Sequence, residues 1–276
     1  MKKNQIGATL IIVLLLLVAI TIIGSLAIRS SILSLKVATV SQAQQLLMQN
    51  SDAALFKVED PAQLVKNMAL NGMFGYIKGE DNVGKELVFC LKSGNANFFN
   101  LSKSSLINWS GTGTTIDPAG LGSDGFCKVA SGFYTSGRNT VITQIAVKAM
   151  DATDAIAFQH MQKGTDPESS KKDPAQMYTI YVTSAFPSLA ATDVKDTDIN
   201  TCLNSRFNSI PSSKQDELDL AKTAINGDTS LSDTQKATEV ALLNAAKVTV
   251  SGCLNALGVP TNTQVARYAL TQTLSK

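Results

Sequence analysis

The chain is poor in the residues that most often carry chemistry. It has 1 histidine, His160, and 4 cysteines, none in C-x-x-C spacing. Zinc centres need His and Cys ligands in close pairs, so none is expected. No GxxxxGK[ST] phosphate loop occurs, which excludes a P-loop motor. None of the many serines stands in a GxSxG setting. A catalytic histidine needs a nucleophile and an orienting acid. Asp151 and Asp154 precede His160, but no such constellation lies at local spacing. The reading is a non-enzyme with no cofactor. The best metal candidate is Asp196-x-Asp198-x-Asn200, with Asp193 ahead of it, which copies the first three ligand positions of a calcium loop. Thr201 stands where the loop needs Gly and Phe207 where it needs Glu. A solvated acidic turn is the preferred reading.

Excess charge is also missing. Lys plus Arg number 24 and Asp plus Glu 22, and no basic cluster interleaves with aromatics. Nucleic acid is therefore not an expected direct partner.

Two further absences are local. No acidic residue occurs before Asp52 and no proline before Pro61. What fills this stretch is apolar. After the leader MKKNQIG, residues Ala8 to Ile28 hold only Thr9, Thr21 and Ser25 as polar side chains. A helix of that length spans roughly 30 Å, the thickness of a bilayer core. Lys2 and Lys3 favour a cytoplasmic N-terminus, against Arg29 and Lys36 beyond the run. Apolar residues then recur at Leu33, Val37, Val40, Leu47, Ala54 and Val58, interrupted by Gln44 and Ser51. That spacing predicts one helix from Ala8 to about Val58, apolar all round at first and amphipathic later. Asp60-Pro61 ends it.

These residues carry a family resemblance. A basic leader ending in Gly, followed by ATLIIVLLLLVAITIIGSLAIRS, resembles the N-terminus of type IV prepilins. The resemblance implies cleavage by a prepilin peptidase between Gly7 and Ala8, and methylation of the Ala8 amine. Ala8 and Ile12 stand where the family has Phe and Glu. Both departures resemble the PilX branch of minor pilins, as do SLAIRSS and AQQLLMQNSDAALF. K-type minor pseudopilins of type II secretion share the missing Glu and bind calcium. Two plainer readings stand beside this one. One is a secretory signal with Ser25-Leu26-Ala27 as its cleavage site. The other is an unprocessed single-pass anchor. The mature N-terminus would be Ala8, Ile28 or Met1 respectively.

The expected organisation is a leader at 1–7, a transmembrane or filament-core half-helix at 8–28, an amphipathic half-helix at 29–60 and a globular domain at 61–276. Four cysteines beyond an anchor suggest two disulfides in an oxidising periplasm. Of the three pairings, the sequential one, Cys90–Cys127 and Cys202–Cys253, places each bond in its own structural unit. A short helix is expected over Ala62 to Met68. Strands are expected in KELVFCLK, GFCKVASGFYTSG, TVITQIAVKAM, QMYTIYVTSAF and TQVARYALTQTLSK. The polar stretch between Cys90 and Cys127 reads as a loop. A helical insertion is expected over about 188–262, with one helix capped by Ser212 and a second, capped by Ser232, running through Cys253 to Gly258. The fold class is α+β: a long N-terminal helix packed on an antiparallel sheet, with the other sheet face wet and a helical disulfide-bounded insertion.

The function expected from the resemblance is a minor pilin that initiates assembly and forms the tip of a type IV pilus. Its implied partners are other minor pilins, the major pilin, the prepilin peptidase, the inner-membrane assembly platform and a tip adhesin. Its implied location is the inner membrane, with the domain periplasmic, and then the pilus. The alternatives are a K-type pseudopilin and a membrane-tethered periplasmic binding module.

Overall fold

A computed structural model describes residues 6–82, 84–94, 99–110, 113–116, 121–135, 137–150 and 176–270. The chain divides into two units, 1–45 and 46–276. Helix α1, Ile6–Glu59, begins in the first and ends in the second.

In the first unit every large apolar side chain from Leu10 to Val40 is exposed. From Leu10 to Leu35 α1 holds no acid and a single base, Arg29, and it is the one helix among the described residues long and apolar enough to cross a membrane.

In the second unit α1 buries Leu47, Ser51, Ala54 and Val58, one row at helical spacing. Ser51, which looks like an interruption of that row, belongs to it. Its hydroxyl donates to Ser184 Oγ at 2.8 Å, and Ser184 shares a hydrogen bond with Thr143 Oγ1 at 3.0 Å. Asp60 then caps α2, Pro61–Met68, by accepting from the Ala62 N–H, and Pro61 opens that helix where no donor is needed. Helix α3, Met73–Ile77, follows.

The sheet has six antiparallel strands in the order β3-β2-β1-β4-β5-β6. They are β1 Glu86–Leu91, β2 Ser104–Ser110, β3 Gly113–Ile116, β4 Ile142–Ala149, β5 Gln176–Ala185 and β6 Thr261–Leu270. One face carries Leu87, Phe89, Ile145, Val147, Ile180 and Val182 against Ala54, Val58, Met73 and Phe74. Fully burying each such large side chain contributes about 1.5–3 kcal/mol.

The opposite face is not wet. Strands β1 and β4 are buried on both sides along almost their whole length. Val88, Ile107 and Ala146 pack under Phe126, Phe207 and Ile210. Cys90, Ile142 and Ala185 pack under Ile199, Leu203, Val250 and Leu254. The cover comes from the segment holding Cys127 and from the helices that follow β5.

Three other expectations fail locally. The stretch between Cys90 and Cys127 contains strands β2 and β3, paired as a hairpin through Ile107↔Ile116 to Ser110↔Gly113. The segment GFCKVASGFYTSG is not a strand. Its alternate backbone N–H groups bond to side chains instead: Gly125 to Ser105 Oγ at 2.9 Å, Cys127 to Gln144 Oε1 at 3.0 Å and Val129 to Asn200 Oδ1 at 2.7 Å. The last predicted helix is two, α6 Asp233–Ala246 and α7 Val250–Ala256. The ladder breaks because the Val250 N–H donates to the Phe207 carbonyl at 3.0 Å, and Thr249 caps α7 by accepting from Gly252.

The insertion comprises α4 Asp196–Asn204, α5 Ser212–Gly227, α6 and α7. Pro211, not Ser212, is the cap residue of α5, while Ser232 and Gln235 form the expected capping box on α6. Gly258, at φ 67°, turns the chain out of α7 into β6. The insertion starts and finishes at one rung of the sheet: Ala185 pairs with Thr261, and the Phe186 N–H donates to the Pro260 carbonyl at 3.0 Å.

Candidate functional site

Gly7 and Ala8 lie in the first turn of α1, two residues into the helix. The apolar run that follows them is exposed from Leu10 onward.

The structure contains Cys90–Cys127 and Cys202–Cys253, closing loops of 37 and 51 residues. The first fastens the covering segment to β1, at the centre of the sheet. The second joins α4 to α7 at the base of the insertion. Gln144, buried on β4, links the two units of cover. It accepts from the Cys127 N–H and donates to the Leu203 carbonyl at 2.9 Å.

The calcium-loop reading of Asp196, Asp198 and Asn200 is not supported. These residues lie on helix α4. On a helix, position i+2 points away from the face shared by i and i+4, so Asp198 cannot converge with Asp196 and Asn200 on one ion. Asp198 accepts from the Lys195 N–H, a capping contact, and Asn200 holds the Val129 N–H. No group of three or more His, Cys, Asp or Glu suited to a metal occurs among the described residues. His160, Asp151 and Asp154 lie outside the described residues.

One buried charge was not legible in the sequence. Glu86 opens β1 and is fully buried. Its carboxylate accepts from Asn208 N at 3.0 Å, Asn208 Nδ2 at 2.9 Å and Ser209 N at 3.2 Å. Burial pushes its pKa up, and the Asn208 and Ser209 donors with the nearby Lys148 pull the other way. Beside it Phe207 stacks on Trp109, with ring centroids 4.7 Å apart and planes 5° from parallel. Together Glu86 and Trp109 fix the α4–α5 link on the sheet. Among the described residues these contacts act as a structural clamp.

Two polar contacts hold the front of β6 to α1. Gln264 Nε2 donates to Asp52 at 2.6 Å, and the Tyr268 hydroxyl donates to Glu59 at 2.6 Å. Burial, then the Glu59 carboxylate, raises the Tyr268 pKa, so the phenol stays protonated and donates.

The architecture is thus a two-faced antiparallel sheet with a long apolar helix entering it, two disulfides and a polar clamp. Searches against family models, curated proteins and solved structures found no match to this chain.

Proposed function

We propose that this protein is a minor pilin of a type IV pilus, a structural and interaction protein that helps to initiate assembly and forms part of the tip. The observation that carries the reading is helix α1. Its first part exposes apolar side chains on every side, and its 46–59 stretch buries Leu47, Ser51, Ala54 and Val58 in a disulfide-bonded domain. A helix apolar all round is at home in lipid or among like helices. One stretch can therefore anchor the protein in the inner membrane, domain in the periplasm, and later pack in a filament core. The leader ending at Gly7 supports processing before Ala8.

Sequencing the mature N-terminus tests the reading. The expected result is a methylated Ala8, with Gly7→Leu leaving the chain at full length and out of pili. A mature chain beginning at Ile28 or Met1 would overturn it. Deleting the gene separates pilus from pseudopilus: loss of surface pili supports a minor pilin, and loss of secreted enzymes with pili intact supports the K-type alternative.

A further inference from the structure

The two edges of the sheet are built differently. Strand β3 has four residues, Gly113–Ile116, and helix α6 packs beside it. Short strands and covering helices are the usual protection of a sheet edge. Strand β6 is not short, and the helix packed beside it is α7, which leads into it. The strand has ten residues, all paired to β5 without a bulge, from Ala185↔Thr261 to Gln176↔Leu270. It contains no proline, glycine or lysine. It is the outermost of the described strands, and none of its residues is buried.

The strand is also held in place. Its front row, Gln264 and Tyr268, is tied to Asp52 and Glu59 on α1. Its back row, Val265, Arg267 and Ala269, is exposed, and Val265 retains 54% of its surface. The outer N–H and C=O groups of an ordered, unbroken edge are satisfied best by another extended backbone.

We propose that β6 is a docking edge for an extended strand of a different protein chain. That strand would carry an acidic residue opposite Arg267, flanked two positions away on each side by apolar residues opposite Val265 and Ala269. The charge decides between this occupant and a second copy. Arg267 makes no ion pair among the described residues, and β6 contains no acid. Pairing β6 with itself therefore leaves Arg267 without a counter-charge in every register. A partner strand with one carboxylate supplies it. Cross-strand pairs of opposite charge favour association and like charges oppose it. The proposal stands apart from the pilin reading, because it uses only the sheet edge.

The test uses the full chain in detergent micelles. The probe is a fluorescent ten-residue peptide alternating threonine and valine, with one glutamate in the middle of the valine row. A second probe has lysine in that place. The glutamate peptide should bind about fivefold more tightly than the lysine peptide, with empty micelles as the blank. Arg267→Glu should reverse that order, and Arg267→Gln should abolish it. Bound peptide should slow amide hydrogen exchange in residues 261–270 and leave β1 unchanged. Failure of either peptide to bind above the blank, or an order indifferent to both substitutions, overturns the proposal. So does concentration-dependent protection of β6 without peptide, which would assign the edge to a second copy.

Discussion

The buried Glu86 and the half-buried Asn208, 122 residues apart in the chain, form a pair in which one carboxyl group accepts both the backbone and the side-chain N–H of its partner. The pair ties the first residue of the central strand to the link between α4 and α5. Removing the acceptor leaves the half-buried Asn208 and Ser209 donors without their partner. Glu86→Ala should cost about 1–3 kcal/mol, read as a lower urea midpoint. The pH dependence has a definite sign. The folded pKa is raised above the ordinary 4.5, so the folded state holds the proton more tightly than the unfolded chain. Stabilisation from this group is complete below the unfolded value and is lost as pH rises through the folded one. Relative to Glu86→Gln, the native chain should lose stability as pH rises above the ordinary glutamate value of 4.5 and through the raised folded one. Midpoints that move in parallel for both chains across that range would refute it.

Gly125 is the narrowest point of the covering segment. A Cβ there would meet Val88 O at 2.2 Å and Ser105 N at 2.3 Å, both backbone atoms that cannot swing aside. Gly125→Ala should lift Phe126 from the sheet, cost about 1–3 kcal/mol and open residues 128–134 to limited proteolysis. Gly137→Ala, with nothing within 4 Å, is the control and should cut like the native chain.

Ser51 sits where helix meets sheet, wholly buried, and donates to Ser184. Ser51→Leu adds volume where none exists and should cost about 1–3 kcal/mol. Ser51→Ala leaves Ser184 with Thr143 and should cost about 1 kcal/mol. Thermal midpoints in detergent would rank the two. A leucine variant as stable as native would show that the helix contact is looser than its burial implies.

The disulfides should separate in effect. Replacing Cys202 and Cys253 by serine should free the ends of α4 and α7, raising amide exchange there while β1 and β4 stay protected. In the chain-entropy model a loop of that size contributes roughly 4 kcal/mol. Replacing Cys90 and Cys127 should instead raise exchange in β1 itself. Uniform loss of protection from the first pair would contradict this division.

The proposed place in the filament follows from an absence. With Ile12 where the resemblance has a Glu, the helix offers no carboxylate before Asp52 to neutralise a neighbouring subunit's amine in a low-dielectric core. Gold label on an epitope in the α5–α6 hairpin should mark filament ends at low copy number. Label spread evenly along shafts would remove the tip assignment.

Much of this fold was legible because its periodicity is local. The row through Ala54 and Val58, the alternation in β4 and β5, and the Ser232–Gln235 capping pair all declare themselves within a few turns. Strands β2 and β3 did not, because Trp109-Ser110-Gly111-Thr112-Gly113 has the composition of a loop and its hairpin is defined by a pairing across it. The opposite error arose at Gly125 to Val129, where strand-like residues send their N–H groups to Ser105, Gln144 and Asn200. No window of sequence contains those partners. Glu86 was missed for the same reason: an acid before an apolar run reads as a solvated strand end until the 208–209 segment arrives from the far side. The two cysteine pairs were legible from the division into strand and helical parts, whereas the two-sided burial of the sheet was not.

The closing rung of the insertion, where Ala185 faces Thr261 and Phe186 bonds to Pro260, returns the chain to the sheet at the point where it left. Residues 228–230, the exposed turn between α5 and α6, take no part in the contacts that Ile199, Leu203, Asn208, Val250 and Leu254 make with the sheet, so that turn can change in length without shifting the strands. Variation at that turn would alter the exposed surface while the packed helices and the sheet beneath it stay as they are.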